Sequence, residues 1–165
     1  MNKDLYFLFR QLTHGVYVVG VPPGNDVNAF TAAWVMQVSF NPLLLALSIS
    51  PRHSSYKSLI EGGSFTVNVL PGNRMDLAEH FGQPAGSNKL ADVGWHRCNT
   101  GAPVLDDAMA CFECEFSHEC RAGDHMLVVG RVTGGAVLDP NAIPMIYRDT
   151  GDMDGSSRLF PEDFN

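Results

Sequence analysis

The amino-acid sequence predicts a mainly β domain, in which an antiparallel sheet curls into a barrel with a few short helices at its flanks. Many short runs are rich in β-branched and aromatic residues, and Gly- and Pro-containing turns separate them. Only two or three short stretches space their apolar residues as a helix does. Since closure of an antiparallel sheet removes its exposed edges, a barrel is the architecture that this pattern favours.

The first forty residues predict one helix followed by strands. Residues 4–12 carry Leu5, Phe7 (or Leu8), Phe9 and Leu12 near helical spacing, which predicts an amphipathic helix. The later elements are a strand at 15–21, a breaker-rich hairpin loop at 22–26, and one or two strands at 27–40 with a bend near Ala32-Ala33.

The segment from 35 to 61 predicts strand, turn, strand and helix. Asn41-Pro42 is a turn signal between a strand at 35–40 and an apolar strand at 43–49, which we expect to be buried on both faces. Pro51 ends that strand. Ser54 or Ser55 can cap the helix predicted over 54–61.

The remaining elements follow from the same signals. They are a strand at 64–70, a helix at 75–81 capped by Asn73, a flap-like loop at 82–88, an irregular stretch at 90–103, a hairpin of strands 108–120 and 125–137, and a short strand or turn at 141–147. The acidic tail at 148–165 carries Leu159, Phe160 and Phe164, so we expect it to dock on a single domain that spans residues 1–165.

The junction at 50–55 has the chemistry of an anion site. A helix start offers unpartnered backbone N–H groups, and Ser50, Ser54 and Ser55 add hydroxyl donors. Arg52 adds a forked cation suited to phosphate. On spacing alone, an ordinary capped helix with a solvated arginine is the favoured interpretation.

Two groups of motifs together resemble the flavin reductase-like, FMN-binding split-barrel family. The first group comprises residues 28–34, Pro42, residues 50–56 and the strand at 65–70. The second is Gly123-Asp124-His125, which opens the strand 126–132. The resemblance covers residues 8–147 and implies an antiparallel Greek-key split β-barrel that forms a homodimer, with the flavin near the subunit interface.

The resemblance also implies a set of cofactor-binding residues. The FMN-binding positions that it carries over are Thr31, Ala32, Ala33, Ser50, Arg52, Ser54, Ser55 and Tyr56, with Phe81 and Gly82 bordering the cofactor. His125 takes the position beside the nicotinamide of NADH or NADPH, where it positions the ring, and Asp124 can hold it by a local hydrogen bond.

Composition excludes several other classes of protein. The formal net charge of −7 disfavours a nucleic-acid partner, which would need a basic surface. No apolar run approaches the length of a membrane span, and no signal-peptide core is present, so we expect a cytoplasmic protein.

Cys111 and Cys114 lie three apart in a predicted strand and point to opposite faces, so we expect structural thiols and no metal site.

The leading hypothesis is an NAD(P)H-dependent flavin reductase with FMN and an electron-acceptor partner such as a monooxygenase component. The alternative is an FMN-binding electron carrier that a protein partner reduces without nicotinamide turnover. A third possibility, a pyridoxamine-phosphate-oxidase-like enzyme, would need a second basic phosphate pocket, and the sequence has only 11 Lys and Arg residues.

Overall fold

The computed structural model describes residues 3–22, 28–86 and 88–164. The strands are β1 (Tyr17–Val21), β2 (Asn28–Ala32), β3 (Val35–Phe40), β4 (Leu43–Ile49), β5 (Ser64–Val69), β6 (Trp95–Arg97), β7 (Pro103–Leu105), β8 (Ala110–Ala122) and β9 (His125–Val137). The α-helices are α1 (Lys3–Phe9), α2 (Tyr56–Glu61) and α3 (Met75–Gly82), and two 3₁₀ turns follow at Tyr147–Thr150 and Ser156–Arg158.

Seven of these strands form one antiparallel sheet in the order β2-β1-β5-β8-β9-β4-β3. The sheet curls around an apolar interior that includes Phe65, Leu47 and Val128. A second apolar cluster lies between the sheet and α3. The predicted fold class, a mainly β antiparallel split barrel with few helices, is confirmed.

The strand β4 follows the prediction in its middle and departs from it at its start. Leu45, Ala46 and Leu47 are buried in succession, which requires cover on both faces, whereas Leu43 is 51% exposed. The turn at Asn41-Pro42 is confirmed, and its peptide bond is cis. The bend after Ala32 is confirmed as well, since β2 ends there and β3 begins at Val35.

The predicted cap position is confirmed at Ser55 for α2 and is wrong at Asn73 for α3. Ser55 occupies the position before α2, but its hydroxyl accepts a hydrogen bond from Asn28 Nδ2 at 3.0 Å and makes no capping bond. Arg74, and not Asn73, precedes α3, and it pairs with Asp76 and Asp107. At Ser55 the tertiary partner Asn28 occupies the hydroxyl that would otherwise make the local capping bond.

The stretch at 90–103 is more regular than predicted. Trp95 pairs with Leu105 and Arg97 with Pro103, so β6 and β7 form a small separate sheet. Three-residue strands carry too little alternation to be recognised in a sequence. At 141–147, where the sequence predicted a short strand or a turn, the chain makes single bridges from Pro144 to Pro71 and from Ile146 to Gly15 and no continuous strand. Most of the predicted loop at 22–26, and Ser87 in the flap-like loop, lie outside the described residues.

The N-terminal helix is shorter than predicted and buries little of its apolar face. Leu5 is buried, whereas Phe7, Leu8, Phe9 and Leu12 are each more than half exposed. The C-terminal tail packs against this segment, since the ring of Phe160 lies 5.9 Å from Tyr6 and 5.4 Å from Phe9. Leu159 and Phe164, by contrast, are each 80% exposed. None of the helices in the described part of the chain is both long and apolar enough to cross a membrane.

Candidate functional site

Two adjoining cavities lie where β2 ends. The first cavity, of about 550 Å³, has Thr31, Ala32 and Ala33 on one side and the end of α3 with Gly82 on another. The second, of about 250 Å³, shares Thr31, Ala32 and Ala33 and extends to Ser50 and His125. The structure therefore brings together residues that are widely separated in the sequence.

The alanines give the shared wall of these cavities its shape. The side chains of Ala32 and Ala33 stop at Cβ, so a planar ligand can approach the backbone closely. The Thr31 hydroxyl donates a hydrogen bond to the Ala78 carbonyl at 2.7 Å, which leaves its oxygen available to a ligand only as an acceptor. Phe81 is buried in the core and lines neither cavity, so its influence on the site is indirect.

The loop at 50–55 places its side chains in different surroundings. Ser50 lines the second cavity, and its hydroxyl accepts a hydrogen bond from the Arg52 backbone N–H at 3.3 Å. The side chains of Arg52 and Ser54 are exposed, whereas Ser55 is only 1% exposed. Ser50 is thus the loop serine that faces the cavity.

Tyr56 begins α2 and turns toward the long hairpin of β8 and β9. Its hydroxyl donates a hydrogen bond to the Glu119 carboxylate at 2.6 Å, and this bond raises the pKa of Tyr56. Tyr56 lines neither cavity. It ties the start of α2 to the hairpin that carries His125.

His53 lines the second cavity, and sequence reasoning did not select it. Its Nδ1 accepts a hydrogen bond from the Ser55 backbone N–H at 3.1 Å, and its ring lies 4.6 Å from that of Phe30. Burial, with a smaller contribution from the Lys89 charge, lowers the pKa of His53. A neutral His53 with Nδ1 as the acceptor carries its proton on Nε2, which makes that nitrogen a hydrogen-bond donor.

His125 opens β9 directly after the hairpin turn. Gly123 adopts a φ of +65° there, a conformation that suits glycine. His125 Nδ1 lies 2.8 Å from Asp124 Oδ1, as the sequence predicted, and its ring lies 5.2 Å from that of Trp34. The carboxylate and the indole therefore fix the ring beside the second cavity.

Tyr147 and Asp154 also line both cavities, and no sequence pattern pointed to them as site residues. The Tyr147 hydroxyl donates a hydrogen bond to Asp154 Oδ2 at 2.6 Å. Burial and this bond raise the pKa of Tyr147 to about 12. Asp154 is exposed and lies in the C-terminal tail, so this part of the tail forms a wall of both cavities.

Cys111 and Cys114 are buried, whereas Cys98 is partly exposed and Cys120 is exposed. All four are free, and burial raises the pKa of Cys114 to about 12. Within the described residues, no cluster of three or more His, Cys, Asp or Glu side chains is arranged to hold a metal ion.

Comparison with known proteins identifies the family to which this chain belongs. The flavin reductase-like domain model matches residues 9–156, which include both cavities and the hairpin. The chain belongs to this flavin reductase-like family. The predicted family is therefore confirmed.

Three relatives illustrate the range of proteins similar to this flavin reductase-like chain. A putative diflavin flavoprotein A 6 from Nostoc is 35% identical over 133 residues, which are 79% of this chain but only 23% of that protein. The NADH:FAD oxidoreductase SgcE6 of Streptomyces globisporus is 27% identical, with a TM-score of 0.80, and the match covers 86% of this chain and 85% of that one. BorF, the flavin reductase component of a bacterial two-component tryptophan halogenase, is 29% identical with a TM-score of 0.77, covering 87% and 97%.

A flavin fits the two cavities of this flavin reductase-like domain. They share five lining residues, Thr31, Ala32, Ala33, Tyr147 and Asp154, and together have the volume of a small-molecule site. Asp154 lines both cavities, Glu79 adds a second carboxylate to the first, and no Lys or Arg is among the described residues that line either one. Ser50 lines the second cavity and lies two residues before the exposed Arg52 in the loop at 50–55.

Proposed function

We propose that this chain is an NAD(P)H-dependent flavin reductase that uses FMN. The observation that supports this function best is the second cavity, which Thr31, Ala33, Ser50 and His125 line together. The sequence assigned the first three to the flavin and His125 to the nicotinamide. A hydride donor and its acceptor must meet at near-contact distance, and one small cavity lined by both sets of residues meets that requirement.

In this proposal, different residues of the chain bind different parts of the flavin and the nicotinamide. Ser50, Arg52 and Ser54 hold the phosphate, Thr31 to Ala33 receive the edge of the ring system, and His125 positions the nicotinamide. Ser55 and Tyr56 support these residues indirectly. The Ser55 hydroxyl accepts a hydrogen bond from Asn28, and the Tyr56 hydroxyl donates one to Glu119 of the hairpin. When bound, the flavin supplies the redox chemistry, because its N5 accepts a hydride from C4 of the reduced nicotinamide.

The test mixes purified protein with FMN and either NADH or NADPH, and follows loss of the near-ultraviolet absorbance of the reduced nicotinamide. We expect flavin-dependent oxidation that saturates with both reactants. Equilibrium dialysis with FMN measures cofactor binding separately. Tight FMN binding without oxidation of either nucleotide would contradict the reductase and favour an electron carrier.

The electron-carrier alternative is favoured by one relative. The chain spans about a quarter of the length of the diflavin flavoprotein from Nostoc, whose name indicates a second flavin within the same protein. In that alternative a protein partner or an attached domain reduces the flavin. A His125→Ala variant distinguishes the reductase from the electron carrier. In a reductase it should slow nicotinamide oxidation, whereas in an electron carrier it should leave electron delivery from a protein donor unchanged.

The exposed face of β3 supports a homodimer. Met36, Val38 and Phe40 alternate along this strand, which is an edge of the sheet, and are 63%, 43% and 85% exposed. An uncovered apolar edge strand is a pairing surface. We expect Phe40→Asp to convert a dimer into a monomer in analytical ultracentrifugation, whereas Phe164→Asp, at an exposed tail position, leaves the dimer intact.

An acceptor enzyme is the proposed partner. The halogenase-associated reductase BorF supports a role as the reductase component of a two-component system, a monooxygenase among the candidates. The reduced flavin would then be the shared intermediate. Addition of an acceptor enzyme with its substrate should couple nicotinamide oxidation to product formation, and catalase should not abolish this coupling.

A further inference from the structure

Lys89 is a buried lysine that follows the flap-like loop at 82–88. It is only 7% exposed, and its ammonium group donates hydrogen bonds to the Phe81 carbonyl at 3.0 Å and to the Gln83 carbonyl. Its own carbonyl lies 2.7 Å from His80 Nε2. Burial lowers the pKa of Lys89, as expected for an ammonium group removed from water. Neither the family match nor the predicted site residues assign a role to this lysine.

The ammonium group of Lys89 is bonded to the backbone of the flavin-cavity wall. Gly82 and Gln83 both line the first cavity, and the two carbonyls that Lys89 holds flank Gly82. Gly82 lies next to Thr31, because a Cβ added to the glycine would be 3.9 Å from the Thr31 hydroxyl oxygen. Thr31 belongs to the wall that the two cavities share. A positive charge therefore lies directly behind this wall.

The charge of Lys89 also acts on the second cavity. His53 lines that cavity, and the positive charge of Lys89 contributes, after burial, to the lowered pKa of His53. Charges that are removed from water interact over several ångströms, because little solvent or salt screens them. The field of this one ammonium group therefore reaches both cavities.

The acidic residues that line the cavities are exposed, in contrast to Lys89. Asp154 lines both cavities and Glu79 lines the first, and water screens the charges of both. Among the described residues, no Lys or Arg lines either cavity. At an equal distance, the buried cation contributes more to the potential inside the cavities than an exposed carboxylate does.

We propose that the buried ammonium group of Lys89 stabilises reduced FMN in these cavities relative to oxidised FMN. The proposal rests on the proposed function, since it requires FMN to bind between Thr31 and Gly82. A hydride carries two electrons and one proton from the reduced nicotinamide, which leaves in its oxidised form, to the flavin ring. The ring, which is neutral before, thereby gains a negative charge. The charge of Lys89 favours this change and retains the reduced FMN in the protein.

The test measures the dissociation constants of oxidised and of reduced FMN separately, without oxygen and near pH 7.5. We expect Lys89→Met to weaken the binding of reduced FMN about fivefold more than that of oxidised FMN, as the loss of one buried charge behind the wall predicts. The midpoint potential of bound FMN, measured against a reference dye, should then fall by about 20 mV, since a tenfold change corresponds to about 30 mV for a two-electron couple. Neither measurement requires turnover.

Three further variants separate the charge of Lys89 from its effect on the shape of the wall. Lys57→Met is the matched control, because it removes the same charge from a side chain that is 80% exposed, and it should leave the ratio of the two dissociation constants unchanged. Lys89→Arg keeps the charge and should keep the ratio, even if the larger guanidinium weakens both affinities. Lys89→Gln keeps N–H donors without the charge and should behave as Lys89→Met does.

The outcomes distinguish the role of Lys89 from the proposed function. An unchanged ratio in Lys89→Met and Lys89→Gln overturns the proposal, and so does an equal loss of affinity for the two forms of FMN, which would show that Lys89 only shapes the wall. A change of the ratio in Lys57→Met or Lys89→Arg as large as that in Lys89→Met overturns it as well. A wild-type protein that binds FMN in neither form overturns the proposed function itself.

Discussion

Asp124 Oδ1 lies 2.8 Å from His125 Nδ1 at the tip of the long hairpin. This contact leaves Nε2 of His125 as the nitrogen available to a ligand. It also lowers the pKa of Asp124, so the carboxylate keeps its charge to a more acidic pH than a free aspartate does. The contact is therefore present at neutral pH and is lost as the pH falls through the lowered pKa of Asp124.

We expect Asp124→Ala to raise the KM for the reduced nicotinamide about threefold while kcat changes less, because an exposed charge pair holds the ring only modestly. Steady-state kinetics at neutral pH measure both constants. Asp92→Ala, at an exposed acidic position outside the described cavities, is the control. A fall in kcat with an unchanged KM would show that Asp124 acts on the chemical step.

Ser55→Ala should destabilise the fold by about 1–3 kcal/mol, because it leaves the Asn28 amide without its acceptor in a partly buried position. Urea unfolding measures the free energy. Ser54→Ala, one residue earlier and exposed, should change stability by less than about 0.5 kcal/mol. Equal effects of the two substitutions would show that Ser55 has no special structural role.

Cys114 should resist alkylation in the folded protein. Burial raises its pKa from 9.0 to about 12, so very little reactive thiolate forms near pH 8. Exposed Cys120 should be modified first, and mass spectrometry of the peptides distinguishes them. Since the unfolded thiol ionises at a lower pH than the folded one, Cys114 should reduce stability progressively between about pH 9 and 12. Rapid modification of Cys114 would contradict its burial.

Arg10→Ala should loosen the C-terminal tail. The substitution removes the guanidinium donor from the carbonyls of Arg148 and Gly151, leaves the Tyr147 carbonyl with Thr150 alone, and removes a cation 5.3 Å from the Tyr147 ring centre. We expect faster tryptic cleavage at Arg148 and weaker FMN binding, since Tyr147 lines both flavin cavities. Arg10→Lys should not restore either property, because an ammonium lacks the fork that reaches three carbonyls. Arg121→Ala, at an exposed site, serves as control.

Sequence reasoning located strands and turns well where the local signal was strong. The alternating residues of β5, the turn before β4 and the hairpin about Gly123-Asp124 all lie where they were predicted. Ser55 lies at the predicted cap position without making the capping bond, because its hydroxyl bonds to Asn28, and the cap predicted at Asn73 was wrong because Arg74 precedes α3. The apolar residues of α1 were misjudged, since burial of that face depends on what packs against it.

The sequence by itself determined the barrel, the family, and the short segments that carry Thr31, Ser50 and His125, because backbone preferences and compact motifs act over a few residues. Only the tertiary structure decided that these segments line one cavity, and that His53, Tyr147 and Asp154 join them. Such contacts join residues up to about a hundred and twenty positions apart. They depend on how the sheet curls and on the hydrogen bonds that Arg10 makes with the carbonyls at the start of the tail. No local sequence pattern encodes either of these long-range arrangements.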